Sequence, residues 1–236
     1  MALSDLQNCG VVQGEGPAQS LTDAAYAALE ERIVTLAIAP GTQMSEQAIC
    51  QEVGLGRTPV REALQRLARE GLVVVLPRKG IQVTLSDGVQ QLLVLEVRRE
   101  LERLLSRTAA VRATDLQRGE LLTIADGMEQ ASRCNDDLAF MRLDREMNLL
   151  LLAAAHNPYA AGAMRLINGQ SRRFWYQHYK IAADLPLCAR LHAKQARAIA
   201  EGDGDASAAA LDGLIDYTEA FTRATASGVS PGSPSD

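Results

Sequence analysis

The feature that most constrains the fold is an arginine-rich amphipathic segment that runs directly into two short apolar stretches. The segment, residues 56–72, has the sequence GRTPVREALQRLAREGL. At about 100° per residue, its apolar residues fall on one side of a helix, which predicts that this side is buried. The apolar side carries Val60, Ala63, Leu64 and Leu67. The opposite side carries Thr58, Gln65 and Arg69, flanked by Arg61 and Glu62.

Two β-strands are predicted after this helix. The sequence LVVVLPRKGIQVTL indicates strands at residues 72–76 and 81–85, joined by a turn in which Gly80 can adopt a positive φ. Two helical segments precede the arginine-rich one, with Thr22 and Ser45 as their expected N-caps. Three helices and a basic-tipped hairpin predict a winged helix-turn-helix, whose third helix enters a major groove of DNA.

The charge distribution agrees with this interpretation. The whole chain has a formal charge of −5, and residues 21–52 hold five acids and one arginine, a net −4. Residues 53–85 hold five arginines and one lysine against two glutamates, a net +4. A compact basic surface can bind an anionic polymer on an acidic protein, because the local field governs the contact. The competing interpretation is a small helical subdomain whose arginines make surface ion pairs.

Composition excludes several other classes of protein. No apolar run reaches the roughly 18 residues that span a bilayer, and the N-terminus lacks the basic and apolar regions of a secretory signal. The four cysteines form no CxxC pair, which indicates reduced thiols and no zinc finger. They are Cys9, Cys50, Cys134 and Cys188. We therefore expect a cytoplasmic protein without a membrane partner.

The second half of the chain has a helical pattern throughout. Helices are predicted at 87–112, 115–133, 136–156, 158–181, 186–201 and 205–226. The predicted fold class is mainly α, with a winged helix-turn-helix followed by an all-α bundle of six to seven helices. The predicted domain organisation is a flexible arm at 1–20, the winged helix at 21–85, the helical domain at 86–226 and a disordered tail at 227–236.

Residues 40–83 resemble the winged-helix domain of GntR-family bacterial regulators. The resemblance lies in a Pro-Gly turn, a Ser-Glu pair, the run RTPVREAL, the tripeptide EGL and a basic glycine turn. It implies a transcription regulator that binds a double-stranded DNA operator, with Arg57 and Arg61 as the main contacts to bases or phosphates. It also implies that Thr58 holds a phosphate and that Lys79 and Gly80 form the tip of the wing.

Two positions depart from the family pattern. Gln47 stands where some members have an arginine, so this expected phosphate contact is weaker here. Gly56 replaces the usual serine, so the third helix lacks a hydroxyl cap, which is a mild loss. Gln65, on the exposed side of the third helix, completes the expected set of DNA contacts.

The helical half resembles the FCD ligand-binding domain of the FadR-type branch of that family. The resemblance lies in LEVRRELERLLSRTAA at 95–110 and in HAKQARAIAEGDGDASAAALDGLI at 192–215. It implies an effector-binding and dimerisation domain. The whole chain would then be a homodimeric regulator, most simply a repressor, that binds a palindromic operator and is modulated by a small organic metabolite.

Many domains of this type hold a divalent metal through an Asp-x-x-x-His pair on one helix and two later histidines. Positions i and i+4 share a helix face, so such a pair can converge on one ion. The corresponding residues here are Asp144, Asn148, His192 and Leu214. An amide oxygen is a weak transition-metal ligand and leucine is none, so a divalent metal cofactor is disfavoured. The alternative is a metal-dependent version of the same regulator, in which this degraded site still binds zinc, nickel or manganese weakly.

The favoured alternative is a pocket that binds an organic effector directly. Asp144, Asn148 and His192 would then form hydrogen bonds, and Arg98 with Arg172 or Arg173 would recognise a carboxylate or phosphate. The less specific interpretation places Asp144 and Asn148 on the surface and His192 in a core. The aromatic run RRFWYQHYK at 172–180 is either a ligand cage or ordinary core and dimer packing.

Two further functional classes remain open from the sequence. One is a helical metalloenzyme that uses Asp144 and His192 and carries an accessory winged helix. The other is a helical interaction module whose winged helix binds protein. The chain contains no nucleophile elbow, phosphate-binding glycine loop or HExxH pair, so we expect no catalytic activity.

Overall fold

A computed structural model of the chain describes residues 20–182 and 184–226, apart from the side chains of residues 181 and 182. Most of the arm predicted at 1–20 and all of the tail predicted at 227–236 lie outside the described residues. The N-terminal elements are α1 (Leu21–Val34), β1 (Gln43–Met44), α2 (Glu46–Val53), α3 (Arg57–Arg69), β2 (Val73–Leu76) and β3 (Gly80–Val83). The helices that follow are α4 (Gly88–Arg112), α5 (Asp115–Arg133), α6 (Asp137–Ala154), α7 (Pro158–Ala182), α8 (Leu185–Glu201) and α9 (Gly204–Ala226).

The N-terminal elements form the predicted winged helix-turn-helix. The two strands of the hairpin pair antiparallel, with Val75 opposite Ile81. The outer strand β1, which the sequence did not predict, pairs with β3 and gives the sheet order β1-β3-β2. The four residues predicted on the buried side of α3 are buried against α1 and the sheet. The mainly α fold class is therefore confirmed.

The helix ends follow the local sequence, with one correction. Ser45 caps α2 by accepting a hydrogen bond from the Ala48 N–H, and Gly54 ends this helix in the left-handed conformation. The N-cap of α1 is Ser20, so the prediction of Thr22 was wrong. The Thr22 hydroxyl instead donates to Glu62 of α3 at 2.6 Å. This contact ties α1 to α3. Thr22 lies inside the first turn of α1, so Ser20, the residue directly before the helix, provides the cap.

The helices α4–α9 form the C-terminal bundle among the described residues. Helix α4 packs along α9, and α5 packs along α8. Asp87 caps α4, Thr114 and Gln117 form a capping box at α5, and Asp136 caps α6. The bundle core is rich in alanine and contains buried Phe140, Met164 and Phe174. None of the helices in the described ranges is long and apolar enough to cross a membrane.

Helix α7 connects the bundle to the winged helix. The Arg173 guanidinium, which is almost fully buried, donates to Thr84 Oγ1 at 3.1 Å and to the Leu85 carbonyl at 3.2 Å. Burial lowers the pKa of Arg173 to about 10. Gly169 allows α7 to approach the hairpin closely, because a Cβ at this position would lie 2.7 Å from the Leu72 side chain. Val34 of α1 in turn belongs to the bundle core.

We expect Gly80→Ala to destabilise the winged helix by about 1–3 kcal/mol or more, because alanine would be strained in the backbone conformation of Gly80. Gly80 has φ +94°, and an added Cβ would lie 2.1 Å from the Met44 carbonyl oxygen. Urea denaturation followed by circular dichroism measures the change. The control is Gly119→Ala in α5, where an added Cβ meets nothing within 4 Å. That substitution should stabilise the chain by about 0.5–1 kcal/mol. An unchanged midpoint for Gly80→Ala would contradict the role of Gly80 in the turn.

Candidate nucleic-acid interface and ligand cavity

A concave surface lies between α2, α3 and the tip of the hairpin. It brings together six of the seven residues that the sequence predicted to contact DNA: Gln47, Arg57, Arg61, Gln65, Lys79 and Gly80. The seventh, Thr58, is exposed at the start of α3 but does not line the concavity. Arg78 adds a further positive charge at the hairpin tip. The sequence-predicted contacts therefore share one face, although their roles stay predictions.

Most cations of this face are free, but Arg61 is not. Within the described ranges, Arg57, Arg78 and Lys79 have no ion pair. Arg61 is exposed and makes two hydrogen bonds with Glu46 of α2, from Nε at 3.1 Å and from Nη2 at 2.9 Å. These hydrogen bonds raise the pKa of the Arg61 guanidinium above its usual value. Glu46 therefore fixes the direction of Arg61 and also occupies its hydrogen-bonding edge.

The start of α3 favours an anion. Gly56 is the N-cap and provides no side-chain hydrogen bond, as the sequence indicated. The first N–H groups of a helix carry a partial positive charge and need acceptors. A phosphate oxygen placed beside Arg57 could accept these hydrogen bonds.

The bundle contains a small cavity, with about 420 Å³ of space between protein atoms when its open mouth is included. Arg98, Asp144, Arg172 and His192 line it, all four predicted from the sequence as effector-binding residues. Leu214, at the predicted fourth metal position, lines it too. The remaining lining residues are Phe140, Met141, Ser171, Trp175, Cys188 and Thr218. The cavity is thus assembled from α4, α6, α7, α8 and α9.

The polar groups without partners in this cavity are hydrogen-bond donors. Arg98 donates through Nε to Glu102 at 2.5 Å and through Nη1 to Ser171 Oγ at 2.6 Å. Ser171 Oγ also accepts from Gln91, so its own hydrogen is available to another acceptor. The Arg98 Nη2 group makes no hydrogen bond with the described residues. Trp175 Nε1 is buried and has no partner within the same ranges. The cavity therefore suits a ligand that carries acceptor atoms.

The Asp144 carboxylate already has three side-chain partners. It accepts from Arg172 Nε at 2.6 Å and from Asn148 Nδ2 at 3.1 Å, and its Oδ1 lies 3.4 Å from His192 Nε2. Burial opposes its ionisation, but His192 and Arg172 hold the pKa of Asp144 well below its usual range. The other ring nitrogen, His192 Nδ1, lies 2.9 Å from the Cys188 carbonyl and donates to it. Burial alone would lower the pKa of His192, but Cys188 and Asp144 raise it well above the usual value.

A divalent metal does not fit this arrangement. The described residues contain no group of three His, Cys, Asp or Glu side chains placed to hold one. Asn148 turns its amide N–H groups toward Asp144, and Leu214 supplies only hydrocarbon. The Arg172 guanidinium already sits on the carboxylate that would be the first metal ligand. A positively charged side chain there would repel a second cation.

Several predicted ligand residues do not line the cavity. Asn148 faces Asn168 in a cleft lined by α1, α3, α6 and α7. Arg173, the alternative to Arg172, contacts the hairpin instead. Of the aromatic residues in the run at 172–180, Trp175 lines the cavity, whereas Phe174 packs against Phe221. Ser171, Cys188 and Thr218 also line the cavity but were not predicted from the sequence. Only Ser171 had a local sign in the sequence, since it directly precedes the predicted ligand residue Arg172.

Comparison with known proteins identifies both halves of the chain. Residues 21–83 match the family described as bacterial regulatory proteins, gntR family, and residues 93–217 match the FCD domain. The HTH-type transcriptional repressor RspR of Escherichia coli is 27% identical over 190 residues, 80% of this chain and 83% of its own length. The Nta operon transcriptional regulator of Aminobacter aminovorans is 27% identical over 135 residues, 56% of this chain and 63% of its own length. The E. coli McbR/YncC structure superposes with a TM-score of 0.75 at 20% identity, covering 87% of this chain and 98% of that one, which shows a shared fold.

Proposed function

Because the chain belongs to the gntR family of bacterial regulatory proteins and carries an FCD domain, we propose that it is a repressor that binds a palindromic operator as a homodimer and responds to a small carboxylate. Regulation of transcription, rather than catalysis, is common to the family. The observation that carries the proposal is the single concave face on which six predicted DNA contacts meet. A protein with this role acts in the cytoplasm, where the DNA lies.

The two activities belong to the two proposed domains, at 21–85 and 86–226. In the first, α3 would enter the major groove with Arg57 and Arg61 near base edges, and Lys79 and Gly80 would meet the adjacent backbone. In the second, a ligand would favour one relative orientation of the two winged helices in the dimer. The ligand and the operator would then affect each other's affinity reciprocally.

An exposed apolar stripe on α4 supports the dimer. The stripe consists of Val89, Leu93, Val97, Leu104 and Val111, with exposed fractions from 45% for Leu104 to 76% for Val111. It extends over about 33 Å at 1.5 Å per residue, on the side of α4 away from α9. A second copy of the chain is the partner that this stripe suits, because its charges are self-complementary. Glu96 precedes the midpoint of the stripe and Arg107 follows it, so an antiparallel pairing of two copies brings opposite charges toward each other.

A small carboxylate is the ligand class that suits the cavity. The unpartnered groups are donors, on Arg98, Ser171 and Trp175, and the one carboxylate that lines the cavity already has three side-chain partners. A charge-assisted hydrogen bond to Arg98 would be the strongest of the new contacts. We propose a small ligand because the space of about 420 Å³ includes the open mouth of the cavity.

We expect Arg61→Ala to weaken operator binding by about 1–3 kcal/mol and to relax base preference at one position of each half-site. The operator is first selected from a random duplex library with the wild-type protein. Fluorescence anisotropy titrations then compare the variant with Arg133→Ala, which removes an exposed arginine at the end of α5. Wild-type affinity should fall steeply with salt concentration. Equal affinities for Arg61→Ala and the wild type would exclude the proposed contact.

We expect Val97→Glu to weaken the dimer by at least about tenfold, because each copy would bury an unpaired carboxylate. Size-exclusion chromatography with light scattering measures the mass at several concentrations. Leu116→Glu, at a 73% exposed position on α5, is the matched control and should leave the dimer intact. A monomeric wild type, or equal dissociation of both variants, would refute the proposed α4 interface.

We expect a short carboxylate, tested from acetate to adipate at millimolar concentration, to raise the thermal midpoint of the protein by several degrees. The corresponding neutral amides should not. Arg98→Gln should reduce the affinity at least about tenfold, since it removes a charged donor and retains a partner for buried Glu102. Arg133→Gln should respond like the wild type. Stabilisation by amides as strong as by acids, or a full response in Arg98→Gln, would rule out recognition of the carboxylate by Arg98.

A further inference from the structure

Arg172 of α7 holds one carboxylate from each half of the chain. Its Nε donates to Asp144 Oδ2 at 2.6 Å, and Asp144 lines the ligand cavity. Its Nη1 donates to Glu30, which lies on α1 of the winged helix. Its Nη2 donates to the Met141 carbonyl at 2.7 Å. All three nitrogens of the guanidinium are therefore engaged, and each in a different contact.

Burial makes these contacts interdependent. The exposed fractions of the side chains are 8% for Arg172, 9% for Asp144 and 4% for Glu30. At such sites water cannot replace a lost partner, and breaking one contact leaves an uncompensated buried charge. Burial alone would lower the pKa of Arg172, but Glu30 and Asp144 raise it above the usual value. Among the described residues, Glu30 has one other cationic partner, Arg145, whose Nε lies 3.0 Å away.

The two residues before Arg172 on α7 contact different halves of the chain. Ser171 bonds Arg98 on the cavity side. Gln170 donates to the Glu70 carbonyl, directly after α3, at 2.9 Å. This short stretch of α7 therefore forms the wall between the ligand cavity and the winged helix. Arg172 lines the cavity on one side of the wall and the cleft beside α1 on the other.

We infer that the Arg172–Glu30 ion pair transmits the state of the ligand cavity to α1, with Arg172 as a fixed cation that joins Asp144 of the cavity to Glu30 of α1. A ligand anion held by Arg98 would share the cavity with Asp144, Arg172 and His192 and would change the balance of charge around the Arg172–Asp144 contact. Arg172 cannot change its contact with Asp144 without changing the geometry of its contact with Glu30. Helix α1 carries the change onward, because Tyr26 donates to Glu70 at 2.7 Å and Glu70 holds Arg66 of α3. What the signal regulates rests on the proposed function, but the transmission itself does not.

Amide hydrogen exchange of the full chain, without DNA or ligand, tests the transmission. Asp144→Asn changes the cavity end of the contact and should accelerate exchange at residues 29–34 of α1 by at least about threefold, since Arg172 loses a partner that orients it. In a Glu30→Gln background the same substitution should leave α1 exchange unchanged. His192→Gln changes the cavity in a second way and leaves the carboxylates of Asp144 and Glu30 in place. It should also accelerate exchange in α1, and only when Glu30 is present.

Glu31→Gln is the matched control. Glu31 follows Glu30 on α1 and also bonds a bundle residue, Arg142 at 2.8 Å, but both side chains are exposed. In this background the α1 response to the cavity variants should persist. The inference is overturned if neither cavity variant alters α1, or if either alters it equally without Glu30. Failure of every carboxylate to bind would instead refute the proposed effector and leave this result standing.

Discussion

The structure depends on the neutralisation of one buried guanidinium. Removing the guanidinium of Arg172 from water costs several kcal/mol unless well-placed ion pairs and hydrogen bonds compensate. The compensation here comes from Glu30 on α1 and from Asp144 and the Met141 carbonyl on α6. The three helices must therefore meet at one point and at fixed angles. One turn after Glu30 on α1, Val34 enters the bundle core and adds an apolar contact between the same parts of the chain.

The same guanidinium distinguishes this cavity from a metal centre. A metal ion is exchangeable, and its occupancy depends on supply and on the protonation of its ligands. Arg172 is part of the chain and remains charged under all ordinary conditions. The residues around it match this difference, since Asn148 presents N–H groups and Leu214 presents hydrocarbon. Asn148, Leu214 and the fixed cation of Arg172 therefore all oppose a metal ion at this site.

Most of the fold could be predicted from the sequence because it follows local patterns. The periodicity of α3, the cap at Ser45 and the hairpin turn at Gly80 are signals within a few residues. The strand β1 has only two residues and forms by pairing with β3, so no local pattern marks it. Arg98, Asp144 and His192 could be placed at one cavity through family resemblance. The Arg172–Glu30 contact could not, because 142 residues separate its partners and each resembles an ordinary surface charge in the sequence.

Arg61 has consequences for how such a protein would search a genome. An arginine that already has a carboxylate partner gains little by exchanging it for a randomly placed phosphate, since one ion pair replaces another. The exchange becomes favourable only where a base edge offers two acceptors in the geometry that Glu46 now provides. In the proposed complex with DNA, Glu46 would therefore compete with the DNA for the Arg61 guanidinium. Complexes with non-operator DNA would then be short-lived. Discrimination between sequences would come from the absence of the Arg61 contact at non-operator sites as much as from its presence at the operator.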